Sequence, residues 1–331
     1  QGQEITPNLN KLIKESAYYS NYHDQVSTGR TADGEFETQN SLLPTMDRVA
    51  FFEYATHDYA GLPEQLKNAG YSTNVFHGDA ATFWNRNVAY PYLGWQKYYD
   101  INSYKITKPI GWGLSDKEFV EQSVPYLQKL PQPFYAQMTM LTSHTPFDIP
   151  KDEQTLTIKG TEGLSQYQIN YIQSLAYVDK QVGLLIDKLK ADGLYDNTII
   201  ALYGDHRAFM SSQNDNGFAK FRGLDSFDQK TFFTSGENIP LIVHVPGSST
   251  AVTDDMPASH LDYAPTILGL LGMKVPRTML GQDLLSPRNP VAVQRNTAGS
   301  VQIIETKDIL YTNPGDDKFE SGTCYKASDH T

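Results

Sequence analysis

Apolar and polar positions follow two periods along the chain, one typical of helices and one typical of strands. Apolar residues spaced three and four apart predict a long helix over residues 167–192, which Gly193 would end. Short apolar runs predict strands at 198–203 and 240–245, because buried strands appear as nearly unbroken apolar stretches. Helical and strand patterns alternate through most of the chain. This alternation predicts an α/β fold in which helices sandwich a mixed, mostly parallel sheet.

The other predicted elements have the same two signatures and are separated by Gly, Pro and small polar residues. Further helices are expected at residue 7, after residue 31, and over 62–68, 117–129 and 263–271, with strands at 18–22, 71–76 and 134–141. Beyond residue 281 the pattern changes to short strands at 291–294, 300–306 and 309–311. We therefore predict two units, a larger α/β unit over residues 1–285 and a small antiparallel C-terminal subdomain over residues 286–331.

Composition narrows the class of protein. The chain has 331 residues, of which 39% are hydrophobic and 12% aromatic, enough for a substantial buried core. Its net charge of −11 and its lack of a basic run argue against nucleic acid as a partner. No apolar stretch of the sequence reaches the roughly 20 residues that a membrane-spanning helix needs. The single cysteine, Cys324, excludes an internal disulfide framework.

Three predicted strands are followed by loops that carry histidine. The residues in these loops are His77, His144 and the pair Asp205 and His206. In open α/β sheets, ligands bind beyond the carboxyl ends of the strands, so these side chains are expected to converge. A carboxylate beside an imidazole suits a divalent metal, although such pairs also occur as ordinary loop caps. His144 is open to three interpretations: a general acid, a phosphate donor or a buried turn histidine.

Two further segments could take part in chemistry. Thr31 lies in a turn of small residues before a helix, where its hydroxyl could act as a nucleophile or cap the helix. Arg86 stands close to Phe83 and Trp84, and an arginine beside exposed aromatic rings suits a phosphate with an organic substituent. The two aromatic residues could equally belong to the core. Residue types alone leave these alternatives open.

Seven segments resemble the extracellular catalytic domain of the lipoteichoic acid synthases, phosphoglycerol transferases of the alkaline phosphatase and sulfatase superfamily. The segments are residues 2–12 (GQEITPNLNKL), 28–36 (TGRTADGEF), 76–79 (FHGD) with 83–86 (FWNR), 143–147 (SHTPF), 193–198 (GLYDNT), 203–206 (YGDH) and 262–268 (DYAPTIL). They occur in family order, and the resemblance extends from residue 2 to about residue 285. The resemblance rests on all of these segments together and does not depend on any single motif.

The resemblance implies a role for several residues in these segments. Thr31 would be the catalytic nucleophile and, with Asp205 and His206, would hold one divalent metal, manganese in preference to magnesium. The residues implied to surround the phosphoglycerol group are His77, Phe83, Trp84, Arg86 and His144. Both histidines of that group would donate hydrogen bonds or a proton to the leaving oxygen.

The resemblance also implies substrates and a location. The reaction would move glycerol phosphate from phosphatidylglycerol to a growing glycerophosphate polymer through a threonine-linked intermediate. It would occur on the extracellular face of the cell membrane of a Gram-positive bacterium. The enzyme would be a monomer without a nucleic-acid partner, tethered to the outer leaflet by N-terminal helices or released as a soluble domain.

One metal ligand of the family has no match in this sequence. The resemblance implies a glutamate at the end of a first strand upstream of residue 1, so the unit 1–285 is expected to lack that strand. Neither Glu4 nor Glu35 is assigned to the missing position. Arg207 and Ala208 also depart from the family, which usually has an aromatic residue and a glycine there; this departure bears on contacts with the acceptor.

Other functions compete with phosphoglycerol transfer. Sulfate ester hydrolysis is disfavoured, because residues 27–31 lack the Cys/Ser-x-Pro-x-Arg sequence needed to form formylglycine. A phosphoethanolamine transferase or phosphodiesterase of the same superfamily would have extra His and Asp ligands for a second metal, which are not evident. A catalytically silent module that binds glycerophosphate polymer is the alternative from a different class, made plausible by the missing glutamate.

Overall fold

The computed structural model describes residues 2–208, 215–227, 236, 238–248, 251–295, 300–316 and 318–327. The helices are α1 (Pro7–Ile13), α2 (Thr31–Asn40), α3 (Ala50–Glu53), α4 (Leu62–Asn68), α5 (Arg86–Tyr92), α6 (Asp116–Leu127), α7 (Gln166–Ala191), α8 (Asn216–Phe221) and α9 (Tyr263–Leu270). The strands are β1 (Ala17–His23), β2 (Ser72–His77), β3 (Lys97–Tyr99), β4 (Phe134–Thr139), β5 (Ile200–Tyr203), β6 (Ile239–His244), β7 (Val252–Asp254), β8 (Ala258–Ser259), β9 (Val291–Arg295), β10 (Val301–Thr306), β11 (Ile309–Thr312) and β12 (Thr323–Lys326). None of the helices in these ranges is both long and apolar enough to cross a lipid bilayer.

The strands form three sheets, two of which build the α/β layers. In the first, β5, β6, β1 and β7 lie side by side, and β8 also pairs with β1. Within it, β1 pairs antiparallel with β6 and parallel with β7. In the second, β3 and β4 flank β2, and all three strands run parallel. The predicted α/β class with mixed strand directions is confirmed, but the strands are divided between two sheets, which the sequence did not predict.

Each of these two sheets ends in a strand that has no second strand neighbour in the described part of the chain. The outer strands are β5 and β7 in the first sheet and β3 and β4 in the second. Every residue of β5, and every residue of β4 except Gln137, is only partly buried. The inner strands β2 and β6 are buried along nearly their whole length. The outer strands β4 and β5 are therefore more accessible than the inner strands β2 and β6.

Apolar side chains pack between the sheets and the helices that cover them. One cluster joins β1 and β6 to α9 and includes Tyr22, Leu241 and Leu268, all fully buried. Another contains Phe76 of β2 together with Phe119 of α6, and it joins both to α7. Burial of these large side chains is the main favourable contribution to folding. The sheets and long helices thus form a rigid base for the loops at the strand ends.

Helix α2 is an exception, because it is buried although its sequence is polar. All residues from Ala32 to Asn40 are buried, and they include Asp33, Glu35 and Glu37. Burying polar groups costs free energy unless they form hydrogen bonds. The turn at residue 31 predicted that a helix follows. The burial of a helix is normally predicted from an apolar stripe along one face, and α2 has no such stripe. Its burial was therefore not predicted.

An antiparallel sheet of four strands, in the order β12, β11, β10 and β9, lies at the C-terminal end. The sequence predicted three of these strands and missed β12. Partly buried polar contacts join the sheet to β1 and to the residues after it: Asn21 donates to Glu305 (3.0 Å) and Gln25 donates to the Val293 carbonyl (2.9 Å). The boundary between residues 285 and 286 stays a prediction. Residues 1, 209–214, 228–235, 237, 249–250, 296–299, 317 and 328–331 of the two predicted units lie outside the described ranges.

Candidate active site

The candidate residues occupy strand ends and the start of one helix. His77 is the last residue of β2, His144 lies in the loop after β4, and Asp205 and His206 lie in the loop after β5. Thr31 is the first residue of α2. Because β2 and β4 are parallel neighbours, His77 and the His144 loop lie at the same end of one sheet.

The turn before Thr31 has an unusual backbone. Arg30 has φ 46° and ψ −116°, a conformation that residues other than glycine rarely adopt. The Asp33 carboxylate holds this turn by accepting hydrogen bonds from the backbone N–H groups of Ser27 (3.1 Å) and Gly29 (2.8 Å). A Cβ atom at Gly29 would lie 2.1 Å from that carboxylate, so the turn requires glycine there. Thr31 is therefore presented by a turn whose shape is fixed.

A close contact joins α2 to the loop after β5. A Cβ atom at Gly34 would lie 2.2 Å from the backbone carbonyl oxygen of Asp205. This separation is far shorter than any ordinary van der Waals contact, so only glycine permits the observed packing. Gly34 lies one helical turn after Thr31, and the contact therefore brings the start of α2 next to Asp205.

A buried pair of ionisable groups lies behind that contact. Nδ1 of His260 lies 2.7 Å from Oε2 of Glu37, and Nε2 of His260 lies 2.9 Å from the Gly204 carbonyl oxygen. Burial raises the pKa of Glu37 to about 7. Burial alone would lower the pKa of His260, but the hydrogen bond and charge of Glu37 outweigh it, and that pKa is raised. The pair fixes Gly204, the residue before Asp205.

His206 has the tautomer that suits a metal ligand. Its Nδ1 lies 2.7 Å from the Arg207 carbonyl oxygen, which can only accept a hydrogen bond, so Nδ1 carries the proton. Nε2 then carries the lone pair of the neutral ring, and it lies 3.6 Å from Oδ2 of Asp205. Arg207 is bound by the buried carboxylate of Asp24, with 2.9 Å between Nη1 and Oδ1. Arg207, one of the two residues that depart from the family, therefore forms an ion pair beside the candidate site.

His77 is a buried, neutral histidine. Its Nδ1 lies 3.0 Å from the Thr139 carbonyl oxygen, so Nδ1 donates and Nε2 carries the lone pair. Burial, reinforced by the positive charge of Arg86, lowers the pKa of His77 to about 3. At neutral pH Nε2 can accept a hydrogen bond but cannot donate one. The donor role implied for His77 by the family resemblance does not fit this arrangement.

Arg86 is almost fully buried, with 1% of its surface exposed, and is bound by a carboxylate of α2. Its Nη2 lies 2.9 Å from Oε1 of Glu35, and its Nε contacts both oxygens of that carboxylate at 3.2 and 3.3 Å. The Tyr90 hydroxyl also donates to Glu35, at 2.8 Å. Burial opposes the charge of Arg86, but Glu35 more than offsets it, so the pKa of Arg86 is raised. A phosphate bound by Arg86 would therefore contact a guanidinium whose positive charge is already balanced by the Glu35 carboxylate.

The aromatic candidates lie beside Arg86 and are partly exposed. The ring centroids of Phe83 and Trp84 lie 5.3 Å apart, and the Phe83 carbonyl oxygen lies 3.5 Å from Nη1 of Arg86. Phe83 is 39% exposed, so its side chain is not part of the core. Trp84 is partly buried against a core cluster, so it belongs in part to the core, as one of the two interpretations from the sequence allowed. Both rings adjoin the candidate site.

His144 is the last of the residues implied to surround the phosphoglycerol group. Its Nδ1 lies 2.8 Å from the Thr145 carbonyl oxygen, which again leaves the lone pair on Nε2 of the neutral ring. The charge of His144 contributes to the lowered pKa of His77, so the two rings lie within electrostatic range. Sequence reasoning missed the contacts of Glu35 and Glu37, because both lie in a polar helix that gives no local signal of burial. The sequence-predicted residues thus form two groups, which α2 joins through Gly34 and Glu35.

Several known proteins are similar to this chain in sequence. A family model described as Sulfatase matches residues 1–273. The chain is 36% identical to the lipoteichoic acid synthase-like protein YvgJ of Bacillus subtilis, over 98% of this chain and 51% of that protein. It is 34% identical to lipoteichoic acid synthase of Staphylococcus aureus, over 94% of this chain and 48% of that protein. The chain therefore spans about half the length of these curated relatives.

Solved structures support the same fold. The lipoteichoic acid synthase LtaP from Listeria monocytogenes matches 99% of this chain and 80% of its own, with a TM-score of 0.87 and 29% identity. A protein of the alkaline phosphatase superfamily from Vibrio parahaemolyticus matches 99% of this chain and 75% of its own, with a TM-score of 0.76 and 22% identity. The second likeness shows the fold alone. Together the comparisons confirm the resemblance to lipoteichoic acid synthases that the sequence motifs predicted.

Enzymes of this superfamily use a divalent metal, and some of the candidate residues are suitable ligands for one. The Asp205 carboxylate, 41% exposed, and the Nε2 lone pair of His206 supply the oxygen and nitrogen ligands that such ions accept. The Thr31 hydroxyl lies at the start of the helix that contacts Asp205. No group of three or more His, Cys, Asp or Glu side chains that could hold a metal occurs in the described ranges. These residues therefore fit part of a metal site.

Proposed function

The chain belongs to the sulfatase family, and we propose that it is a lipoteichoic acid synthase-type enzyme that transfers phosphoglycerol from phosphatidylglycerol to a glycerophosphate polymer. The observation that carries this proposal is the position of α2. One side of this helix contacts the Asp205 backbone through Gly34, and another binds Arg86 through Glu35. The helix that begins with Thr31 therefore links the candidate metal ligands to the candidate phosphate-binding residues.

We assign Thr31 as the nucleophile. Its Oγ would attack the phosphorus of phosphatidylglycerol, the phosphorus–oxygen bond to diacylglycerol would break, and the glycerophosphoryl group would remain on Thr31. The Thr31 hydroxyl loses its proton as the bond forms, and the diacylglycerol oxygen takes up a proton as it leaves. In the second half-reaction, the terminal hydroxyl oxygen of the polymer attacks the same phosphorus, the bond from phosphorus to the Thr31 Oγ breaks, and Thr31 regains a proton as the hydroxyl loses its own.

Asp205, His206 and Thr31 are the residues that would hold a divalent metal, manganese in preference to magnesium. A metal bound there would lower the pKa of the Thr31 hydroxyl and offset negative charge on the phosphate. The tautomer of His206 supports this assignment, because its Nδ1 proton is bound to the Arg207 carbonyl oxygen.

The two histidines near the phosphoglycerol group have different roles in this proposal. His144 transfers the proton through Nε2, because its Nδ1 is bound to the Thr145 carbonyl oxygen. His77 stays neutral, and its Nε2 accepts a hydrogen bond from a glycerol hydroxyl. A lone pair facing an anionic phosphate oxygen would be repelled, so the hydroxyl is the better partner.

Arg86 would donate hydrogen bonds to the phosphate while Glu35 holds it in place. A guanidinium has more N–H donors than the contacts to Glu35 and the Phe83 carbonyl use. Phe83 and Trp84 would line the side of the site that receives the glycerol group. We also propose that the enzyme is a monomer that acts at the outer leaflet of a Gram-positive cell membrane, with no nucleic-acid partner.

Intact mass spectrometry tests the proposed half-reaction. Protein produced from its full natural coding sequence would be incubated with Mn²⁺ and phosphatidylglycerol vesicles. We expect a phosphoglycerol adduct that the Thr31→Ala variant does not form. Thr28→Ala is the matched control, because Thr28 is an exposed threonine of the same segment, and this variant is expected to form the adduct.

The alternative function is a catalytically silent module that binds glycerophosphate polymer. The observation that favours it is the lack of a group of three metal-ligating side chains in the described residues. Metal analysis and a glycerophosphate binding assay distinguish the two functions. Metal-loaded protein that binds glycerophosphate but forms no adduct would contradict the transferase and favour the module.

A further inference from the structure

Trp112 has no assigned role above, yet its side chain covers His144. The ring centroids of the indole and the imidazole lie 3.8 Å apart, with 43° between the ring planes. Trp112 is 52% exposed, so burial in a core does not explain the contact. The indole also meets the ring of Phe83 edge-on, with 6.0 Å between centroids. One exposed side chain therefore touches candidate residues from the loops after β2 and after β4.

This side chain stands at the tip of a tight turn. The N–H of Ile110 donates to the Gly113 carbonyl oxygen at 2.9 Å, and the N–H of Gly113 donates back to Ile110 at 3.3 Å. Gly111 and Gly113 have φ values of 60° and 154°, which glycine adopts without strain. Ile110 is buried and packs with Ile149. The turn is therefore anchored in the protein although its tip is exposed.

The segments on both sides of the turn are also held. Before it, the Glu118 carboxylate accepts a hydrogen bond from the backbone N–H of Thr107 at 2.9 Å. After it, Leu114 packs so closely beneath the loop that follows β2 that a Cβ at Gly78 would lie 2.7 Å from Leu114 Cδ2. The turn that carries Trp112 is therefore fixed relative to that loop.

We propose that Trp112 is a positioning residue for His144, an inference that rests on the proposed phosphoglycerol transfer. His144 lies on a loop and is restrained on one ring nitrogen by the Thr145 carbonyl oxygen. The indole closes one face of the imidazole and limits rotation of the ring. Nε2 is thereby directed towards the open side of the site. A group that transfers a proton must stay within hydrogen-bond reach of the reacting oxygen, so loss of the indole acts on the chemical step.

Steady-state kinetics of Trp112 variants test this role, using protein from the full natural coding sequence with Mn²⁺ and phosphatidylglycerol. We expect Trp112→Ala to lower kcat by about tenfold or more while KM changes by less than about threefold, since positioned acid–base groups contribute at least that much. Trp112→Phe retains a ring and should restore most of kcat. Ile106→Ala is the matched control, because Ile106 is an apolar residue of the same loop and is 41% exposed.

NMR of the His144 ring tests the contact independently of activity. An indole ring at this centroid distance displaces the imidazole proton resonances, so Trp112→Ala should shift them and Ile106→Ala should not. His144→Gln assigns the resonances. Unchanged His144 resonances in Trp112→Ala, or an unchanged kcat in that variant, would overturn the inference. If the wild type is inactive, the proposed function fails and the positioning role fails with it. If the wild type is active and Trp112→Ala is unchanged, only the positioning role fails.

Discussion

The histidines of the candidate site share one arrangement at the scale of single residues. In His77, His144 and His206, Nδ1 donates to a backbone carbonyl oxygen, and Nε2 is the nitrogen left for chemistry. The sequence places each of them after a strand, so their presence near the site was predictable. Their tautomers were not, because a tautomer depends on which carbonyl group faces the ring.

His77 is expected to stay neutral from about pH 5 to about pH 8. Burial, with the charge of Arg86, lowers its pKa to about 3, whereas an exposed histidine titrates near 6.5. NMR of the ring ¹⁵N nuclei, assigned with a His77→Gln variant, measures this directly. The resonances should be those of a neutral ring protonated on Nδ1 and should not move over this range. A titration midpoint near 6.5 would contradict the buried position of His77.

The Glu35–Arg86 pair makes a second prediction at this scale. Glu35→Gln would leave the guanidinium buried without its counter-charge, which costs about 3–5 kcal/mol of unfolding free energy. Urea denaturation measures the loss. Glu53→Gln is the matched control, because Glu53 forms a pair with Arg48 at the exposed surface, where little change is expected. If the two variants lose equal stability, Glu35 does not hold Arg86.

At the scale of elements, the sequence predicted helices and strands with a clear local period and missed those that depend on partners. The helix over 62–68 has the predicted bounds. Helix α5 was missed, because Pro91 lies inside it and the residues Trp84 and Asn85 before it have positive φ. Its first residue, Arg86, is held by Glu35, a contact far away in the sequence. Tertiary contacts, and not local pattern, stabilise this helix.

The contact between α2 and the loop after β5 predicts the effect of Gly34→Ala. An alanine inside a helix usually adds about 0.5–1 kcal/mol of stability relative to glycine. Here we expect a loss of about 1–3 kcal/mol, because the new Cβ would lie 2.2 Å from a backbone oxygen of Asp205. Displacement of that loop should also abolish the phosphoglycerol adduct.

Thermal unfolding and adduct formation measure this effect. Gly183→Ala in α7 is the matched control, because its Cβ would meet only the side-chain end of Asn8, at 2.5 Å. A side-chain end can move aside more easily than a backbone oxygen, so the loss should be smaller. A Gly34→Ala variant as stable and active as the wild type would contradict the close packing of α2.

Helix α6 supports the loop that carries His144. Oδ1 of Asp116 accepts hydrogen bonds from the backbone N–H groups of Leu141 (2.7 Å) and Thr142 (3.1 Å). Burial raises the pKa of Asp116 from 3.8 to about 6. The folded state therefore binds this proton more tightly than the unfolded state. The resulting stabilisation is complete below about pH 4 and is lost as the pH rises through about 6.

Urea denaturation at about pH 4 and at about pH 7 measures this linkage. Asp116→Asn removes the titration, so the wild type should lose more stability over this interval than the variant, by on the order of 2–3 kcal/mol. Asp187→Asn, at an exposed position of α7, is the matched control and should behave as the wild type. Equal pH dependence in Asp116→Asn and the wild type would show that Asp116 is not responsible.

At the scale of the whole molecule, the order of helices and strands was enough to predict an α/β fold and to gather the candidate residues near strand ends. It was not enough to predict two sheets, because strand order depends on contacts between distant segments. The C-terminal antiparallel sheet was predicted apart from β12, a strand whose four residues are all at least partly exposed. An exposed strand of this length has little apolar pattern to reveal it.

The outer strands β4 and β5 predict an uneven pattern of hydrogen exchange. Alternate backbone amides of β4 and β5 point away from the neighbouring strand and have no strand partner in the described ranges. These amides should exchange faster than the amides of β2 and β6. NMR-detected exchange on protein from the full natural coding sequence resolves individual amides. Uniform protection of β4 and β5 would mean that another strand covers these edges.

The polar character of α2 has a consequence for the order in which the protein assembles. Hydrophobic collapse is not directional, and it gathers apolar helices and strands first. Only Ala32 and Phe36 of α2 belong to an apolar cluster, so collapse should draw this helix in weakly, and most of its hydrogen bonds should form once their partners are in place. We therefore expect the helix that begins with Thr31 to dock late in folding. A collapsed but misassembled chain would keep Thr31 apart from Asp205, so phosphoglycerol transfer would report that folding is complete.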